Sequence, residues 1–209
     1  MKEVSADFVA GNIASDKAVE DVTTWIERVD GFRVGLGGGS ICTTPDVTGV
    51  YVPTLYAVAL VRDAVDKLNL RVPVIADGGI RMYGDIVKVL AAGASVAMLG
   101  YMLAGTEEAP APIISIGGAK YKPYRGMASE GAMKRRYAVD RYARVSKKME
   151  EGIEGLVPYR GSVYMLVPRI VEAVKAGLGY VGARNIEELW RKARFIVAQK
   201  KVVGVKTEI

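Results

Sequence analysis

No histidine occurs in the 209 residues, and cysteine occurs once, as Cys42. The missing histidine removes the side chain that most often moves protons near neutral pH. Acid–base chemistry is left to carboxylate, Lys, Tyr, Cys or an unusual Arg, and Ser-His-Asp and Cys-His machinery within the chain is excluded. A single cysteine rules out an intrachain disulfide and a cysteine-rich metal site. No stretch of about 18 apolar residues runs without a charge, which predicts no membrane-spanning helix. The opening MKEVSADFVAG lacks a continuous apolar core, so no signal peptide is expected and a cytoplasmic protein is. The net charge is +6, with basic clusters at Lys134–Arg136, Lys147–Lys148 and Lys200–Lys201. A solvated basic surface explains this, as does an anionic ligand. Nucleic acid ranks below both, because no nucleic-acid-binding motif accompanies the charge.

Half of the residues are apolar, enough for one domain with a substantial core. Short apolar runs alternate with amphipathic segments. Strands are predicted over 6–12, 32–36, 71–77 and 95–100, and helices over about 15–29, 53–68 and 83–92. Nearly all-apolar, β-branched strands fit a parallel sheet buried on both faces. Four βα units in series suggest a doubly wound sheet or part of a (β/α)8 barrel, and in both the chemistry gathers at the C-terminal strand ends. Those ends are here polar or glycine-rich: Gly11-Asn12, Gly35–Thr44, Asp77-Gly78-Gly79 and Gly100-Tyr101. Beyond residue 104 the pattern changes. Residues 113–124 read as a β-hairpin turning at Gly117-Gly118, 130–137 as a short helix, 138–160 as a charged flap, and 163–176 and 185–198 as closing helices.

The segment GLGGGSICTT (35–44) is the strongest candidate site. Its glycines allow positive φ and close backbone approach, and loop amides can hold an anion. Ser40, Cys42 and Thr44 add a nucleophile and hydroxyl groups. A lone cysteine is more often a buried small hydrophobe, but a glycine loop at a strand end is not the usual place for one. In IADGGI (75–80), Asp77 reads either as a helix N-cap or as an acceptor for sugar hydroxyls. The amides that follow it would face a phosphate. MLG (98–100) repeats the pattern at the next strand end, matching the phosphate site after the last two strands of many (β/α)8 enzymes.

GLGGGSICTT, VPVIADGGIRMYGDIVKVLAAGAS, MLGYMLAGTEEAP, YKPYRGMASEGAM and EGIEGLVPYRG resemble successive blocks of the IMP dehydrogenase and GMP reductase superfamily, from about Ala10 to about Phe195. The resemblance implies a partial TIM barrel: one domain with four C-terminal βα units over 1–104, a hairpin and flap over 105–160 and closing helices over 161–209. It implies that Cys42 adds to purine C2 with Thr44 handling a proton beside it. Phosphate contacts would come from Ser40, Gly79, Gly100 and Tyr124, with Tyr101 beside them. Asp77 would accept from the ribose, and Gly126, Met127 and Glu151 would contact the base. Asn12, Arg33, Gly35 and Gly37 would lie on the NAD side. Carbonyls of Gly37, Gly39 and Cys42 would hold a monovalent cation, usually potassium.

Within the superfamily the flap decides. Arg141-Tyr142 resembles the pair that activates water in IMP dehydrogenases, and GMP reductases need no such step. The implied reaction is NAD-dependent oxidation of IMP to XMP through a Cys42 thioimidate, in guanine nucleotide synthesis. A thiol ionises near about pH 8.5, so loop amides or a positive charge would help expose the thiolate. Arg141, ordinarily protonated, would serve as base only in a closed, dry site with the Tyr142 hydroxyl. Some positions depart from the family. Tyr101 stands where a small residue is usual, Pro45 follows the Cys-Thr-Thr run, Ala128 replaces a glycine, and Gly38 reads as neutral. The tail lacks the glutamate–glycine stretch that completes the potassium site. The family barrel has eight units and this sequence opens near the fifth, so the expected partner is a complementary N-terminal half-barrel, in a homo-oligomer that is tetrameric in the family. A non-catalytic purine-nucleotide-binding or truncated relative and, more weakly, a GMP reductase stay open.

Overall fold

The computed structural model describes residues 5–129 and 152–197. Four strands, β1 (Val9–Ile13), β2 (Gly31–Val34), β3 (Val74–Asp77) and β4 (Val96–Met98), form one sheet in the order β1-β2-β3-β4. Every pairing is parallel, with Phe32 opposite Val74, Val34 opposite Ala76 and Ile75 opposite Val96. Alternation along the strands sorts the side chains. Ala10, Phe32, Val34, Val74 and Ala76 are buried against Val19 of α1 (Asp16–Trp25), Ala57, Val58, Val61 and Val65 of α3 (Thr54–Lys67), and Ile86, Val89 and Leu90 of α4 (Tyr83–Ala91).

The expectation of burial on both faces is corrected. The residues between these, Val9, Gly11, Arg33, Ile75 and Asp77, are exposed or half-buried, and Val96 and Met98 of β4 are exposed as well. Among the described residues only the helix-covered face is fully buried, and the other carries the Arg33–Asp77 ion pair.

Local chemistry sets the helix ends. Ser15 caps α1 by accepting from the Ala18 amide, and the Asp85 carboxylate accepts the Arg81 and Met82 amides at the head of α4. Two short helices were not expected: α2 (Thr44–Thr48), begun by Pro45 at a position where its missing N–H costs nothing, and α5 (Tyr101–Ala104). The helix predicted over 163–176 continues as α6 (Val163–Val181), and α7 (Ile186–Lys192) stops short of 198. Gly177 lies inside α6 because a Cβ there would come within 2.5 Å of Val87 on α4.

The hairpin is β5 (Ile114–Ile116) and β6 (Ala119–Arg125), turning at Gly117-Gly118 with φ of +57° and +82°. Part of the expected flap is instead a strand, β7 (Glu154–Pro158), which completes an antiparallel sheet β5-β6-β7. Its register, Lys122 opposite Val157 and Tyr124 opposite Gly155, holds a segment whose glycine and proline suggest a loop. The helix expected over 130–137, most of the flap, and the three basic clusters lie outside the described residues.

Candidate functional site

The glycine loop after β2 packs directly on the loop after β3. A Cβ on Gly35 would fall on the Asp77 carbonyl oxygen, and one on Gly78 would come within 3.1 Å of the backbone of Gly38 and Gly39. Only glycine permits this approach. Gly38 is not neutral either, since its Cβ would lie 2.7 Å from Thr54 Oγ1. The two candidate loops are thus one unit.

Cys42 is half-buried, two residues before α2, and its amide donates to the Gly39 carbonyl at 3.1 Å. Its Sγ lies 3.2 Å from Thr44 Oγ1, donating to that hydroxyl. A bridge joins Cys42 to Gly152, and the Ile153 amide donates to the Ile41 carbonyl at 3.0 Å. The Gly126 amide donates in turn to the Ile153 carbonyl. The EGIEG block therefore braces the cysteine loop through its backbone, a role that residue type alone does not reveal. Gly126 is held here, and Met127 beside it is half-exposed.

Asp77 accepts on one oxygen, Oδ2, from Asn12 Nδ2 at 2.8 Å, Arg33 Nε at 3.0 Å and Arg33 Nη2 at 2.8 Å. Asn12 Nδ2 also donates to the Gly35 carbonyl. Three residues expected on the cofactor side, Asn12, Arg33 and Gly35, so converge on the expected ribose acceptor. Asp77 is not a helix N-cap: that place before α4 belongs to Met82.

Ser40, Asp77, Gly79, Gly100, Tyr101 and Tyr124 all line one small cavity of about 70 Å³. A Cβ on Gly100 would lie 2.9 Å from the Tyr124 hydroxyl oxygen, which brings the parallel and antiparallel sheets together at this point. Hydroxyl groups, glycine backbone and the guanidinium of Arg81, which also lines the cavity, form a donor-rich set suited to an anion. Arg81 was not anticipated, although it directly follows the IADGGI block. Tyr101 does not fill the cavity: its ring tilts against that of Tyr124, with centroids 6.4 Å apart, and Arg160 lies over it at 5.3 Å.

Arg141, Tyr142 and Glu151 lie outside the described residues. Of the carbonyls expected to hold a monovalent cation, that of Gly39 accepts the Cys42 amide with one lone pair and keeps the other. Among the described residues no cluster of three His, Cys, Asp or Glu side chains is placed to bind a metal, and no helix is long and apolar enough to cross a membrane.

The family model described as IMP dehydrogenase / GMP reductase domain matches residues 1–204. The chain is 55% identical over 192 residues to an inosine-5′-monophosphate dehydrogenase of Korarchaeum cryptofilum, covering 92% of this chain and 40% of that protein. To the inosine-5′-monophosphate dehydrogenase of Thermoplasma acidophilum it is 51% identical over 196 residues, covering 93% and 39%. The chain thus spans about 40% of the length of the curated relatives it matches. Among solved structures, a cysteine-to-alanine variant of GMP reductase from Trypanosoma brucei, in complex with guanosine 5′-monophosphate, superposes with a TM-score of 0.82. It is 42% identical, and the match covers 92% of this chain and 38% of that one.

Proposed function

The chain belongs to the IMP dehydrogenase / GMP reductase family, and from that premise we propose that it carries the nucleophile and phosphate seat of an IMP dehydrogenase, oxidising IMP to XMP in cytoplasmic purine nucleotide metabolism. The observation that carries the reading is the placement of Cys42 Sγ, 3.2 Å from the Thr44 hydroxyl, on a loop packed against the donor-lined cavity.

In this reading the 5′-phosphate sits among Ser40, Gly79, Gly100, Tyr101 and Tyr124. The ribose hydroxyls donate to Asp77, whose Oδ2 is already fixed by Arg33 and Asn12. Fixing the carboxylate in advance reduces the ordering cost of binding. Anchoring at both points delivers the purine toward Cys42 and the backbone of Gly126 and Met127, turning a bimolecular attack into a positioned one. The Sγ proton passes by way of the Thr44 hydroxyl to purine N3 as the sulfur adds to C2. NAD, when bound, supplies the hydride acceptor. Asn12 and Arg33 hold the floor on that side through Asp77. Loss of hydride leaves a thioimidate on Cys42. Water then adds to that carbon, with Arg141 and Tyr142 taking its proton, and the thiol leaves as XMP forms.

Within the described residues, β1 and β4 each pair on one side only, and Phe8, Val9, Val96 and Met98 are exposed along those edges. Unpaired edges with apolar side chains seek a partner. We therefore read the sheet as an arc of a (β/α)8 barrel closed by a complementary half, within a homo-oligomer. GMP reduction is the second reading, favoured by the GMP-bound solved neighbour.

The test is NADH formation from IMP by the chain together with its complementary half. Cys42→Ala should abolish NADH formation, and Arg141→Ala should give one turnover of hydride transfer and then stall. Wild-type activity in Cys42→Ala would end the proposal. NADPH-dependent loss of GMP without IMP oxidation would favour the second reading.

A further inference from the structure

A wider cleft of about 580 Å³ opens beside the phosphate cavity, lined by Ser40, Arg81, Met82, Tyr101, Met102 and Arg160 among others. It shares Ser40, Arg81 and Tyr101 with the smaller cavity. We propose that this cleft receives a second phosphate, so that the chain binds nucleoside 5′-diphosphates more tightly than monophosphates. The inference rests on the phosphate seat proposed above.

Among the described residues, two arginines and no carboxylate line the cleft. Neither arginine forms an ion pair with a described residue: the Arg81 amide donates to Asp85, and the Arg160 guanidinium carbon lies 5.3 Å from the Tyr101 ring centroid. A guanidinium placed over an aromatic ring is attracted to it and keeps its N–H groups able to donate in pairs to phosphate oxygens. A 5′-phosphorus held in the small cavity carries the ribose oxygen toward Asp77. Another of its oxygens can continue past the shared wall of Ser40 and Tyr101, where a β-phosphate meets both arginines. Among the described residues, the one carboxylate bordering the smaller cavity, Asp77, is already paired with Arg33.

Calorimetric titration of the full 209-residue chain, together with its complementary half, with IMP and with inosine 5′-diphosphate tests this. The diphosphate should bind about tenfold tighter at low salt, equal to about 1.4 kcal/mol. Because both arginines are exposed, the advantage should shrink as ionic strength rises. Arg160→Gln, a change confined to the wider cleft, should remove most of the advantage and leave IMP affinity unchanged. Equal affinity for the two nucleotides, or parallel weakening of both in Arg160→Gln, would overturn the inference and leave the phosphate seat standing. No binding of either nucleotide would overturn both.

Discussion

In the parallel sheet Phe32, Val34, Val74 and Ala76 are fully buried, and the candidate chemistry hangs from the strand ends. In the antiparallel sheet most side chains face solvent; Val157 is buried, and so is a charged group, Lys122. The Lys122 ammonium donates to three backbone carbonyls, those of Thr106, Glu107 and Ala109, at 2.7, 3.1 and 2.5 Å. One sheet is held by apolar burial and can spare its loops for function. The other leaves Ile114, Ile116 and Leu156 exposed and depends more on a few polar ties. The two meet where the Tyr124 hydroxyl approaches Gly100.

The sharpest way to break this comparison is Gly35→Ala. Its added methyl would collide with the Asp77 carbonyl, at a φ of +143° that side chains avoid. The expected loss is about 3 kcal/mol of stability, measured by denaturant unfolding, together with loss of nucleotide binding. A variant of wild-type stability would show that the loops are not locked together. Lys122→Met comes next. Leaving buried carbonyls without a donor should cost about 2 kcal/mol. Hydrogen exchange should speed up in β5–β7 and around Gly105, with the β1–β4 amides protected as before. Uniform loss of protection would mean that the two sheets unfold as one.

The smallest effect qualifies the contrast, since the helix layer holds a buried charge of its own. Glu188 on α7 accepts from Arg184 and Lys192, which hold its carboxyl down at about 2. A depressed folded-state value means that this contribution is present above the unfolded value of about 4.5 and fades as pH falls toward 2. Acid titration of thermal stability should show a decline over that window, flattened in Glu188→Gln. An unchanged acid limb in the variant would remove the assignment.

Legibility in the sequence followed the same division. The four parallel strands and their glycine-rich ends are written in apolar runs ended by Gly or Asp, so Cys42, Asp77, Gly79 and Gly100 could be singled out from local pattern. The bracing by Gly152 and Ile153 could not, because backbone bonds to Ile41 leave no trace in residue type. Strand β7 was hidden by its glycine and proline, since pairing with β6 creates it. The end of α6 was hidden because Gly177 and Gly179 look like a stop, whereas Gly177 is the packing site for Val87. Lys122 looks like any solvated lysine until the loop carbonyls close around it.

The account stands on the Cys42 sulfur facing the bound purine, and Cys42 is the only cysteine in the chain. The direct measurement is the rate of its alkylation by iodoacetamide, followed by mass spectrometry, with and without saturating IMP. The account predicts that IMP slows labelling at least tenfold, while inosine, lacking the phosphate, protects far less at the same concentration. Labelling at the same rate with and without IMP would contradict it.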